Sequence, residues 1–205
     1  NGAAFSENAE AQSPFNPIRL AWGVIFVSFA VFCVVCAASV FGLHYFFFES
    51  SLSLDAVLHV GRGTVGVRSP SEVEQAESSE RVLSRGILVR TDQTDLLSQA
   101  MISLHDSSYD NSLVASITLK SDTSVRLRSA SRPRFQWSSP IYNSELDVMG
   151  NADILIPDDL ERDVQIIIYT ASGAEIRLES SGRYGITVSD MQVQVTNLHG
   201  EAVLV

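Results

Sequence analysis

Cysteine is absent from everything beyond Cys36. The long C-terminal part of the chain is therefore held together without disulfides or thiolate metal sites. Lysine is almost missing too, Lys120 being the only one, and the net charge is -10. A surface this acidic lacks the cations that neutralise phosphates, which excludes nonspecific nucleic-acid binding. Signatures of catalysis are equally wanting: there is no G-x-S-x-G elbow, no H-E-x-x-H and no glycine-rich phosphate loop, and Lys120 does not close an S-x-x-K. The expectation is a protein that is not an enzyme and carries no cofactor.

The absence with the largest consequence is local. From Leu20 to Phe48, 29 residues pass without an Asp, Glu, Lys or Arg. A helix rises ~1.5 Å per residue and a bilayer's hydrocarbon core is ~30 Å thick, so about 20 residues suffice and this run exceeds the need. It predicts one N-terminal transmembrane α-helix over 17–48, with Trp22 near one interface and Tyr45 to Phe48 at the other. The apolar stretch is longer than the h-region of a cleaved signal peptide. Seven of the ten Phe lie between Phe26 and Phe48, so the positive mean hydropathy comes largely from this segment. Arg19 precedes the span whereas Glu49 and Asp55 follow it, which favours a cytoplasmic N-terminus and an extracytoplasmic C-terminal domain.

Within the span, Ala38 and Gly42 form a small-xxx-small pair, the spacing that lets another helix approach closely. Cys33 and Cys36, three residues apart in hydrocarbon, read as packing residues. His44 could ligate a haem or chlorin metal but lacks a second ligand or an attachment motif; an interfacial polar residue is the plainer reading.

Ahead of the span, residues 1–16 are polar and small, with Pro14 and Pro17 opposing a helix, and read as a flexible tail. Residues 49–56 read as a linker. Beyond them alternation takes over. VLHVGRGTVGV (Val57 to Val67) is a hairpin candidate turned at Gly61 and Gly63, and the acidic stretch Ser69 to Glu80 reads as an exposed loop or short surface helix. Ile87 and Val89, then Ala100, Ile102 and Leu104, then Ile117 and Leu119 each recur with period two, the pattern of half-buried strands. KSDTS reads as the turn of a further hairpin leading to Val125 and Leu127. Gly150, Gly173, Gly182 and Gly200 read as reversals between later strands. Residues 57–205 are thus expected to form an all-β antiparallel domain, a sandwich or a flattened solenoid.

The series SRGILVRTDQTDLLSQAMISLHD, SITLKSDTSVRLRSA, SELDVMGNADILIP, ASGAEIRLESSGRYGITVS and VQVTNLHGEAVLV resembles the FecR-type extracytoplasmic domain. The shared features are a Gly leading a strand into Thr-Asp, an L-x-x-D-T/S-x-[VLI]-x-L stretch, a strand ending at Gly, and a closing G-E-x-V. The resemblance implies a periplasmic β domain on a single-pass inner-membrane anchor. The best-known members relay a signal from an outer-membrane receptor to a sigma factor, but only about 19 residues precede the span here, too few for a folded anti-sigma domain.

RLRSASRPRFQW gathers Arg126, Arg128, Arg132 and Arg134 with Phe135 and Trp137 against an acidic background. Arg and Trp are favoured at interface centres, so these six residues are the candidate partner-binding patch, suited to an acidic protein or anionic headgroups. The alternative is a basic strand edge whose aromatics fold back over the core. His59, His105 and His199 are scattered, and Asp158 to Asp163, which has oxygen ligands enough for calcium but not the loop pattern, reads as a solvated turn.

The functional expectation is an accessory or structural subunit of a larger bacterial membrane complex. Its partners are the bilayer, other integral membrane subunits and an extracytoplasmic protein. An electron-transport complex is a plausible host only because such complexes collect one-helix subunits. The alternative is a FecR-type transducer regulating a sigma factor.

Overall fold

The apolar run is helical. In the computed structural model, which describes residues 17–71, 73–108, 110–135, 137–138, 141–189 and 192–204, α1 spans Pro17–His44 and passes into a π-helical turn, Tyr45–Glu49. The expected tail over 1–16 lies outside the described residues. The chain divides into two compact units, Asn1–Phe46 and Phe47–Val205. In the first, apolar side chains are exposed all round α1, the mark of a helix made for a nonaqueous surround. At ~1.5 Å per residue its 28 residues cover about 42 Å, enough to cross a membrane.

The second unit is all-β, as expected, and its strands begin earlier than expected. The segment 49–56, read as a linker, contributes β1 (Ser51–Ser53) and the first residues of β2 (Asp55–Arg62). There follow β3 (Val65–Arg68), β4 (Gln75–Glu77), β5 (Arg81–Leu83), β6 (Leu88–Thr91), β7 (Gln99–Asp106), β8 (Ser112–Leu119), β9 (Ser124–Pro133) and β10 (Tyr142–Ile156). The last are β11 (Val164–Tyr169), β12 (Glu175–Leu178), β13 (Gly182–Val188), β14 (Val193–His199) and β15 (Ala202–Leu204).

One strand belongs to two sheets. The first half of β10 pairs with β9 and β11, in a sheet running β4-β3-β6-β9-β10-β11-β12-β15, with β1 on the end of β9 away from β6. Its second half pairs with β8 and β13, in a sheet running β5-β2-β7-β8-β10-β13-β14. Buried positions keep one parity along β10, Tyr142, Ser144, Leu146 and Val148 and then Ala152, Ile154 and Ile156. Both halves therefore turn the same face inward. The core is aliphatic, Tyr142 and Tyr184 being its aromatic members among the described residues.

Several expected hairpins prove to be crossings between the sheets. β2 pairs with β5 and β7 while β3 pairs with β4 and β6, so Gly63 leads from one sheet to the other and no Val57–Val67 hairpin forms. KSDTS does not reverse the chain either. β8 and β9 run in the same direction along β10, Leu119 opposite Ala152 and Ser124 opposite Met149. Gly150 is a bend within β10, while Gly182 and Gly200 lie where the chain changes sheets. Gly173 does mark a true hairpin, between β11 and β12. The stretch Ser69 to Glu80 contains an edge strand, β4, in place of a surface helix. Finally, β10 and β11 are parallel, an exception to the antiparallel expectation. β10 leaves the first sheet through the second before β11 returns beside its beginning.

Alternation alone did not distinguish a reversal from a crossing, because both need turn residues. The β8–β9 crossing is fastened by hydroxyls: buried Thr91 donates to the carbonyl of Lys120 at 2.5 Å, and Thr123 donates to that of Asn151 at 2.9 Å. Gly150 faces this turn with φ of 100°, and a Cβ there would overlap the Asp122 carbonyl and lie 2.8 Å from the Thr123 Cα. Gly173, with φ of 86°, has open space around it. Replacing Gly173 by Ala is expected to cost about 1 kcal/mol, the left-handed penalty alone. Gly150→Ala adds a clash with main chain and is expected to cost more than about 2 kcal/mol. Denaturant titration of the detergent-solubilised chain, followed by circular dichroism, checks the ranking; equal losses would refute it.

Candidate functional site

The patch read from the sequence is split by a β-bulge. Along β9, Val125 and Leu127 are buried and Arg126 and Arg128 exposed. The register then shifts, Leu127 lying opposite Leu146 but Ser129 opposite Glu145, so Arg128 is the extra residue. One added residue moves every later side chain to the other face. Ala130 and Arg132 consequently turn inward. Arg126 and Arg128 stay on the outer face of the sheet, where Arg128 pairs with Asp147 at 2.6 Å and lies 4.3 Å from the Tyr169 ring centroid.

Arg132 meets Asp106, the last residue of β7, with Nε 3.4 Å from Oδ1; the two side chains are 12% and 7% exposed, which makes this a buried ion pair. The carboxylate is well supplied with donors. Ser108 gives its main-chain N–H at 2.9 Å and its hydroxyl at 2.6 Å to Oδ1, and Tyr142 donates its hydroxyl to Oδ2 at 2.9 Å. Arg132 Nη1 in turn donates to Ser108 Oγ at 2.9 Å. Burial raises the pKa of Asp106, but the Ser108 and Tyr142 hydrogen bonds and the Arg132 charge together outweigh it and hold the carboxyl below its ordinary value. Burial pushes the Tyr142 phenol up to about 12, and the bond to Asp106 adds to the rise.

Beside this pair stands a tight turn carrying the aromatics. Ser138, buried, donates its hydroxyl to the Phe135 carbonyl at 2.6 Å and accepts from the Phe135 N–H at 3.2 Å. Arg162, from the acidic loop before β11, donates to the same carbonyl at 3.3 Å, and the Arg134 N–H donates to the carbonyl of Ser50 at 3.2 Å. Phe135 stacks on Trp137, centroids 5.3 Å apart and planes 3° from parallel, and also meets Phe47 at 5.5 Å. Phe135 is half-buried whereas Trp137 is exposed at 63%. A cleft of about 270 Å³ lies here, bordered by Asp106, Arg134, Phe135, Trp137, Tyr142 and Arg162 among others.

Four of the six patch residues, Arg132, Arg134, Phe135 and Trp137, thus share one end of the β-domain, and Arg126 and Arg128 do not join them. Ala38 and Gly42 sit one helical turn apart on α1, with open space around Gly42. His59 contacts Ser103 and Glu80, His105 contacts the Asn111 carbonyl, and His199 ends β14. Among the described residues no three His, Cys, Asp or Glu gather around a common point. Asp106 and Tyr142 were not singled out from the sequence, although parity pointed to both. Asp106 continues the inward series Ala100, Ile102, Leu104, and Tyr142 begins the series Ser144, Leu146, Val148.

This end of the domain can present a rigid aromatic surface over an internally neutralised charge pair. Asp106→Asn leaves the Arg132 charge buried without its counter-ion and is expected to cost about 3–5 kcal/mol. The folded pKa of Asp106 lies below its ordinary 3.8, so its contribution is present above that value and is lost as the pH falls through the lower folded one. Tyr142 acts oppositely: its contribution is complete below 10.0 and lost as the pH rises through about 12. Denaturation midpoints measured against pH should show both losses in the native chain. Asp106→Asn should flatten the acid limb, and Tyr142→Phe the alkaline one.

Compared with known protein families, curated proteins and solved structures, the chain matches none.

Proposed function

We propose that this chain is a single-pass membrane protein that acts by binding, as an accessory or structural subunit of a larger bacterial membrane complex. In this reading α1 anchors it in the inner membrane with its N-terminus in the cytoplasm. The β-domain, FecR-like, stands in the periplasm. The observation that carries the reading is α1 itself, a helix long enough to span a bilayer whose apolar side chains are exposed. Supporting it, the buried Asp106–Arg132 pair of the β-domain neutralises its own charge, with Ser108 and Tyr142 bonded to the carboxylate. Ala38 and Gly42 give α1 a narrow face on which another span can pack.

Tagged protein purified from native membranes in mild detergent, with mass spectrometry of the intact chain and of everything bound, tests this. Stoichiometric recovery of integral membrane proteins is the expected result, and cofactor-bearing companions would identify the host. Replacing both Ala38 and Gly42 by Leu should reduce that recovery several-fold while leaving circular dichroism unchanged. Recovery of the chain alone would overturn the subunit reading. Recovery of a longer chain with a sigma factor and an outer-membrane receptor would establish the FecR-type transducer instead.

A further inference from the structure

The apolar run does not end with its own helix. Its last residues, Tyr45 to Phe48, are aromatic, and Phe47, which belongs to the β-domain unit, is in ring contact with Phe135 from the loop after β9. Only three peptide steps, at most about 11 Å, separate Phe47 from His44 at the end of α1. If α1 spans a bilayer with its aromatic end, Tyr45 to Phe48, at the interface, covalent connection holds Phe47, and with it Phe135, close to the headgroup level. Trp137 stacks on Phe135 with most of its surface exposed, and Ile141, in the same loop, is 45% exposed. Indole is the side chain most at home at that level, apolar in body with one N–H donor at its edge. Its described residues are tied to the domain at two points, the Arg134 N–H bonding the Ser50 carbonyl and Arg162 bonding the Phe135 carbonyl, while Ser138 closes the turn onto Phe135.

We propose that Trp137, supported by Phe135 and Ile141, inserts into the interfacial region of the bilayer. The occupant is the phospholipid interface itself, recognised through apolar and indole contact. The inference rests on the membrane-anchor reading of α1. An exposed loop elsewhere supplies a contrast: Leu96 and Leu97 lie exposed at the Gln99 end of β7, a strand's length, about 23 Å, from Asp106 at the cleft.

The chain has two tryptophans, Trp22 and Trp137, which makes the test direct. The full-length Trp22→Phe variant is reconstituted into phosphatidylcholine vesicles containing lipids brominated either near the headgroup end or near the terminus of the acyl chain. Trp137 emission should be quenched by the shallow bromines several-fold more strongly than by the deep ones. In the Trp137→Phe variant, Trp22 reports on α1. Quenching of Trp22 without quenching of Trp137 would overturn the proposal and leave the anchor standing, whereas quenching of neither would remove the anchor reading as well. Leu96→Trp, made with both native tryptophans replaced by Phe, should stay unquenched; equal quenching there would overturn the assignment of the contact to the Trp137 loop. Circular dichroism of each variant, matching the native spectrum, shows that it folds.

Discussion

Gly150 has no side chain, and the Thr123 turn occupies the space that one would fill. This close approach lets β10 bend beside the break between β8 and β9, so that two long antiparallel paths fold over together. A bend in one path alone would pull the ladders apart. Here Asn151 and Thr123 exchange hydrogen bonds across the bend, the N–H of Asn151 donating to Thr123 Oγ1 at 3.0 Å. The buried hydroxyls are thereby satisfied where the sheet hydrogen bonds lapse. Since parity is retained through the bend, the two halves of β10 close on a common aliphatic core.

The aromatic end of the domain is a consequence of the same layout. β7, β9 and β10 belong to different parts of the sheet path, yet their termini meet where Asp106, Arg132 and Tyr142 bond to one another. Desolvating an ion pair is unfavourable unless further hydrogen bonds compensate. Ser108 and Tyr142 provide them, which ties three strand ends and the loop after β7 into one unit. The outward face of that unit is then free to be apolar, because its charge is spent inside.

The all-β class, the helix and the individual inward positions were legible because they follow from period and composition, which are local. Ile102 and Leu104 on β7, and Ile117 and Leu119 on β8, lie where alternation put them. Connectivity was not legible: the turn at KSDTS has the residues of a hairpin, and only its long-range bonds to Thr91 and Asn151 send the chain onward. The arginine patch is divided for a related reason. A bulge at Arg128 leaves no mark in an alternating string until the partner strand is known, so Arg126 and Arg132 seemed to share a face that the register divides. Phe135 and Trp137 stand out differently: no other Phe or Trp follows Phe48, and that signal is independent of register.

A strand that belongs to two sheets also changes how the domain can come apart. In a sandwich whose layers are joined only by loops, one layer can peel or slide while the other persists. Here the layers share the covalent length of β10, and its hydrogen-bonded neighbours on each side cross with it or return to it. Opening of either layer at β10 must disturb Gly150 and the turn against it. The slowest-exchanging amides of both sheets should therefore report a single opening event, and the domain should behave mechanically as one body.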